Sequence, residues 1–220
     1  MRTIRSFVIR EGRFTHAQKK AFEDNWSDIG IDVDDTLNCN LSHYFMHSQP
    51  LIMDIGFGNG DSLVSLAQQR KDLNFIGVEV YRPGIGAALE KINTHELTNV
   101  RIINHDIQEL IPRITKNIFA GMVVWFPDPW PKKRHHKRRL LQKSFLINVS
   151  HVIQSGGILH IASDWQPYVD FIQEQLSQVD TISLLKVSEN PLNLKRPHTK
   201  FEQRGLGKGH KVTDLIYQID

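Results

Sequence analysis

From residue 50 onward the chain alternates short apolar runs with amphipathic stretches. LIMDI (51–55), NFIGVEV (74–80), VRIIN (100–104), IFAGMVVWF (118–126), GGILHIAS (156–163), residues 181–187 and TDLIYQI (213–219) read as strands. Helical patterns occupy 61–70, 82–96, a short piece near 107–113, 140–153 and 165–178. Strands alternating with helices need right-handed crossovers, so the expected fold class is α/β: a doubly wound, mostly parallel, seven-stranded sheet whose last strand is antiparallel. Ahead of it, Thr15 followed by Gln18 makes a capping box that opens a helix through about Trp26. Residues 1–14 are polar, basic and aperiodic and are expected to be a flexible arm; 27–48 show no assignable pattern. The expected organisation is a basic arm and helix at 1–48 followed by one α/β domain at 49–220.

In such a sheet, ligands bind beyond the carboxyl ends of the strands. An acidic residue stands at or just past the end of each of the first five: Asp54, Glu79, Asp106, Asp128 and Asp164. Gly56, Gly58 and Gly60 form G-x-G-x-G after the first strand, letting the backbone turn tightly and approach a ligand. The dehydrogenase spacing G-x-G-x-x-G fails, because position 61 is Asp. Taken alone, the loop suits an adenosyl ligand and a structural turn equally. The acids change that balance. A carboxylate at the second strand end accepts both ribose hydroxyl protons, and Asp106 is placed to meet an adenine amino group. So many anions would repel a pyrophosphate and favour a sulfonium cation, which points to S-adenosylmethionine rather than a dinucleotide.

The fourth strand breaks into WFPDPWPKKRHHKRR (125–139). Pro127, Pro129 and Pro131 each fix φ and remove a donor, so neither helix nor sheet continues, and the turn is expected to be stiff and extended. It presents Asp128 and Trp130, the latter either to stack on a base or to brace the turn. Lys132, Lys133, Arg134, His135, His136, Lys137, Arg138 and Arg139 follow. Consecutive cations would surround any helix and leave no face to bury, which favours a phosphate-binding patch over a solvated helix face. The 27 Lys and Arg stand against 24 Asp and Glu, and six of those cations lie in 132–139, so the basic character is local. Smaller basic clusters lie near both ends of the chain.

The single cysteine, Cys39, excludes an intrachain disulfide. No run approaches the roughly 20 apolar residues of a membrane span and no signal-peptide core is seen, so the expected location is cytoplasmic. His43 and His47 have metal-pair spacing without an evident third ligand, so no metal is expected. The polar, Gly-rich stretch 198–214 is long for a hairpin connection; its Thr199 and Glu202 are candidates to face a base, the alternative being a mobile surface loop.

In RSFVIREGRFTHAQ (5–18), DIGFGNG (54–60), IGVEV (76–80), FPDPWPKKRHHKRR (126–139), SDW (163–165) and TKFEQRG (199–205), the chain resembles the bacterial single-chain tRNA (guanine-N(7)-)-methyltransferase family, over nearly its whole length. The FPDPW-plus-basic and TKFE signatures are specific; the glycine loop is shared by many methyltransferases. The resemblance implies a Rossmann-like methyltransferase that uses S-adenosyl-L-methionine to form 7-methylguanosine in the tRNA variable loop. It assigns cofactor binding to Asp54, Glu79, Asp106 and Asp128 beside the glycines, with Asp128 also the acidic residue of the catalytic site. Substrate contact would fall to Lys132, Asp164, Thr199, Lys200, Phe201 and Glu202, and RNA contact to Arg134, His135, His136, Lys137, Arg138 and Arg139. The family commonly has Glu where this chain has Asp54, whose shorter arm would reach the cofactor through water. The expected partner is tRNA, with no membrane and no obligatory protein partner; monomer and homodimer are both open.

Two other readings fit the same residues. Pro-Asp-Pro-Trp is similar to the proline-aromatic motif of enzymes that methylate exocyclic amines, and the identity of the methylated nucleoside separates the two. A non-catalytic RNA-binding protein of this fold would bind tRNA without turnover.

Overall fold

The computed structural model describes residues 4–8, 14–34, 37, 39–185, 192–197 and 211–220. Helix α1 (His16–Ile29) leads into β1 (Gly30–Ile31), and a 3-10 turn (Leu41–Tyr44) precedes the alternating series. That series runs β2 (Leu51–Ile55), α2 (Asp61–Gln69), β3 (Asn74–Glu79), α3 (Arg82–Thr94), β4 (Val100–Asn104), α4 (Ile107–Leu110) and β5 (Phe119–Trp125). It continues through a 3-10 helix (Lys133–Arg138), α5 (Lys143–Val152), β6 (Ile153–Ser163), α6 (Gln166–Leu176), β7 (Ile182–Leu185) and β8 (Thr213–Ile219). Among the described residues these strands form one sheet in the order β1-β4-β3-β2-β5-β6-β8-β7. All pairings are parallel except those of β8, which runs antiparallel to both β6 and β7.

The α/β class and antiparallel last strand agree with the sequence; the strand count of eight does not. The extra strand, β1, pairs through Gly30 and Ile31 with Ile102 and Ile103 at the edge of β4. Two residues are too few to show a period. The capping box is present: Gln18 N–H donates to Thr15 Oγ1, and Thr15 N–H to Gln18 Oε1.

Alternation along the strands builds two apolar layers. Leu51, Met53 and Ile55 join Met122, Val124, Leu159 and Ile161 under α5 and α6. Ile52, Phe75, Val123 and Trp125 pack under α2 and α3. The same period sends Asp54 to the second face, beside Gly77 and Val123 on the neighbouring strands. No helix among the described residues is long and apolar enough to cross a membrane.

The chain builds outward from β2 through β3 to β4, then crosses back to place β5 on the other side of β2. That reversal leaves a crevice beyond the ends of β2 and β5, where connections leave in opposite directions. The glycine loop and the Pro-Asp-Pro-Trp turn both start there.

Candidate active site

The glycine loop is left-handed at three points, with φ of 73° at Gly56, 59° at Gly58 and 77° at Gly60. A Cβ on Gly56 or Gly58 would meet no atom within 4 Å, so the absent side chains leave open space against the backbone. Glu79 latches the loop. Its Oε2 accepts from Gly58 N–H at 2.9 Å, and its Oε1 accepts from Val80 and Tyr81 N–H at 2.7 and 3.0 Å. Asp106 caps α4, accepting from Gln108 N–H at 2.9 Å. Burial pushes its carboxyl up, and that hydrogen bond opposes the rise.

These groups border a cavity of about 240 Å³. Its floor and walls are apolar, from Ile55, Val78, Ile107, Val124 and Leu140, and its polar groups include Glu79, Asp106 and, at one side, Asp128. A second cavity of about 760 Å³ shares Phe7, Glu79, Val80 and Asp128 with the first and is otherwise bounded by Tyr81, Trp130, Lys132 and His135, among others. Asp128 is exposed and stands where the two meet. An apolar slot with carboxylates thus adjoins a basic-edged one.

The turn between them is not extended, as the prolines suggested. Phe126 and Trp130, each directly before a proline, have φ of 56° and 45°. Such values are uncommon for bulky residues and persist only where the surroundings hold them. Trp130 braces the turn: its indole N–H donates to Ser6 O at 2.9 Å, and Arg138 stacks on its ring. Arg138 also donates to Arg5 O and Phe7 O, at 3.1 and 2.9 Å. Residues 4–8 are therefore docked rather than free, and Ser6 and Phe7 line the first cavity. Flexibility of the arm is corrected for this segment.

The basic run divides. Lys132, Lys133, Arg134 and Lys137 are exposed, while His135, His136 and Arg138 are half-buried. Arg139, expected on the RNA surface, is only 3% exposed. It donates to Pro129 O at 3.0 Å and lies over the rings of Tyr168 and Phe171, 5.1 and 4.7 Å from their centroids. Its guanidinium is turned inward and braces the turn.

Of the expected cofactor residues, Gly56, Glu79, Asp106 and Asp128 border the first cavity, whereas Asp54, Gly58 and Gly60 do not. Asp54 is 2% exposed, and its Oδ2 has no hydrogen-bond partner. Burial, with a smaller contribution from the Glu79 charge, pushes its carboxyl up to about 7. The strand period turns it inward. Of the substrate candidates, Lys132 edges the second cavity and Asp164 is half-buried just past β6. Thr199, Lys200, Phe201 and Glu202 lie outside the described residues.

One cluster was not anticipated from sequence. His160 Nε2 lies 2.8 Å from Asp214 Oδ1, and Arg196 donates to both oxygens of Asp214 at 3.0 and 3.2 Å. A histidine inside the apolar GGILHIAS strand signals a partner, but not which one.

Residues 48–215 match the profile of a family described as putative methyltransferases. The tRNA (guanine-N(7)-)-methyltransferase of Nitrosococcus oceani is 45% identical over 218 residues, covering 99% of this chain and 91% of that protein. The enzyme of the same name from Aeromonas hydrophila is 42% identical over 221 residues, covering 99% and 93%. Among solved structures, the 16S rRNA methyltransferase KamB superposes with a TM-score of 0.58 at 14% identity, covering 87% of this chain and 98% of that one. An antibiotic-related methyltransferase gives 0.57 at 18%, covering 85% and 95%. At those identities the structures speak for the fold alone.

Proposed function

The chain belongs to the tRNA (guanine-N(7)-)-methyltransferase family, and we propose that it methylates N(7) of a guanine in the variable loop of tRNA at the expense of S-adenosylmethionine. The observation that carries this is the pair of adjoining cavities with Asp128 at their junction. The first fits the cofactor: open space over Gly56 admits a ligand against the backbone, apolar walls suit an adenine, and Glu79 and Asp106 supply acceptors for ribose hydroxyls and an amino group. Carboxylates also favour a cationic ligand. When bound, S-adenosylmethionine supplies a methyl group on a sulfonium, with a neutral thioether as leaving group.

N(7) of guanine already carries a lone pair, so no residue need remove a proton before attack. What the chain must provide is alignment, which can be worth about 7–11 kcal/mol. The base gains positive charge as the methyl arrives, and a fixed carboxylate at Asp128 would stabilise it. With N(7) aimed at the first cavity, the opposite guanine edge offers two N–H donors, for which Asp164 and Glu202 are the acceptor candidates. Adenine lacks that pattern. Lys132, Lys133, Arg134 and Lys137 supply exposed charge for the tRNA backbone.

The test is incubation with methyl-labelled S-adenosylmethionine and tRNA lacking the modification, followed by digestion and nucleoside chromatography. Label in 7-methylguanosine is the expected result. Label in an N-methylated exocyclic amine, or none, overturns the reading.

A further inference from the structure

Behind the Pro-Asp-Pro-Trp turn lie three polar side chains that border neither cavity: His160, Asp214 and Arg196. Arg196 is 8% exposed in its side chain and makes a two-pronged ion pair with Asp214, Nε to Oδ1 at 3.0 Å and Nη2 to Oδ2 at 3.2 Å. His160, on β6, meets the same Oδ1 through Nε2 at 2.8 Å. An ionised carboxylate only accepts, so the histidine proton sits on Nε2. Burial would raise the Asp214 carboxyl, but the hydrogen bonds from His160 and Arg196 take it down to about 2. The pair is therefore charged at any neutral pH.

This cluster touches the turn at two consecutive residues. The Arg196 guanidinium lies over the ring of Phe126, 5.2 Å from its centroid. The Trp125 ring sits edge-on to His160 at 5.4 Å. Phe126 is the residue at φ 56°, one of the two left-handed positions that bracket Pro127-Asp128-Pro129. Its N–H donates to Ala162 O on β6 at 2.8 Å, so both its backbone and its ring have a partner. Arg196 and Asp214 also stand before and after residues 198–210 in the chain, where Thr199 and Glu202 are the expected substrate contacts.

We propose that Arg196, fixed by Asp214 and His160, is a positioning residue: it holds Phe126 in its left-handed conformation and so sets where Asp128 stands between the two cavities. The inference rests on the methyltransferase reading for its catalytic consequence, and on geometry alone for its effect on the turn. Aromatic rings accept a guanidinium face through their quadrupole, and the contact strengthens when shielded from water, as here.

The test compares the parent with R196M and R196K in four measurements: kcat for 7-methylguanosine formation, S-adenosylmethionine affinity by calorimetry, tRNA affinity, and amide exchange of the peptide spanning 124–130. R196M is expected to lower kcat about 100-fold, the scale of an ångström-sized misplacement, with both affinities unchanged. It should also speed exchange at Phe126 while β2, β3 and β4 keep their protection. R196K, which retains a cation over the ring, recovers part of the loss in kcat. Parent-like kcat and exchange in R196M overturn the proposal, as does a loss of protection spread evenly over the sheet. If R196M does not fold, R196Q/D214N, which neutralises both partners and strands no buried charge, is read by the same criteria. Should the parent itself make no 7-methylguanosine, the function falls, and the exchange data still decide whether Arg196 holds the turn.

Discussion

The guanidinium of Arg138 stacks on the indole of Trp130, 4.1 Å from the ring centroid, and both side chains then donate to backbone carbonyls of residues 5–7. A cation near the end of the basic run is thus occupied by the protein's own chain. The exposed charges are Lys133, Arg134 and Lys137, with Lys132 at the cavity edge. Replacing Lys133, Arg134 and Lys137 together with Ala should weaken tRNA binding and flatten the dependence of log K on log salt by about 2–3. R138A should leave that slope nearly unchanged and instead expose residues 4–8 to protease. Binding titrations at several salt concentrations, with limited proteolysis alongside, check both. A large slope change in R138A would contradict the assignment.

Arg139 lies over the rings of Tyr168 and Phe171 and donates to Pro129 O. R139A removes a charged hydrogen bond and two ring contacts from a site that is 3% exposed. A loss of about 2–3 kcal/mol in unfolding free energy is expected. Urea titration measures it, and the salt slope of tRNA binding should not move.

The Glu79 carboxylate answers three N–H donors with two oxygens. Glutamine offers only one acceptor oxygen, and its amide would turn an N–H₂ toward Gly58 N–H or toward Val80 and Tyr81. E79Q should therefore unlatch the glycine loop and weaken S-adenosylmethionine binding by about 10- to 100-fold, taking roughly 1.4 kcal/mol per factor of ten. Calorimetry on the folded variant decides it; parent-like affinity would show that the loop needs no latch.

Asp54 makes stability depend on pH. Its carboxyl, raised to about 7 by burial and then by the Glu79 charge, holds a proton in the folded state that the unfolded chain gives up near 4. The contribution is fully present below about pH 4 and is lost as pH rises through 7. D54N, neutral at every pH, should resist urea better than the parent at pH 8, by an amount that shrinks toward pH 5. Parallel profiles in cofactor-free protein would count against a buried ionisable Asp54.

The strands and the glycine turn were legible because periods of two and 3.6 repeat over enough residues to be read. So was the row of acids at strand ends, although the strand period turns Asp54 inward and leaves Glu79 and Asp106 at the cavity. What stayed hidden depends on partners far away in the chain. Nothing in eight adjacent basic-type residues marks Arg139 as the one that turns inward, since its rings belong to α6. Trp130 and Ser6 meet across 124 positions, and no local pattern in a polar N-terminal stretch announces that contact. Strand β1 is two residues long. His160 advertised a need for a partner, yet Asp214 and Arg196 lie beyond 50 and 30 further residues.

The place of β8, between β6 and β7, bears on how the molecule is made. Among the described residues β7 joins the sheet only through β8, and β8 also pairs along β6. A growing chain that has reached residue 212 already carries the glycine loop, the acids and the whole basic segment. It still has an unpaired apolar border along β6, and Arg196 has no Asp214 to hold it. Such a border is a template for sticking to other chains until it is filled. Synthesis thus delivers the exposed charge of the basic segment well before Asp214, and one seven-residue strand, Thr213–Ile219, then pairs with both β6 and β7.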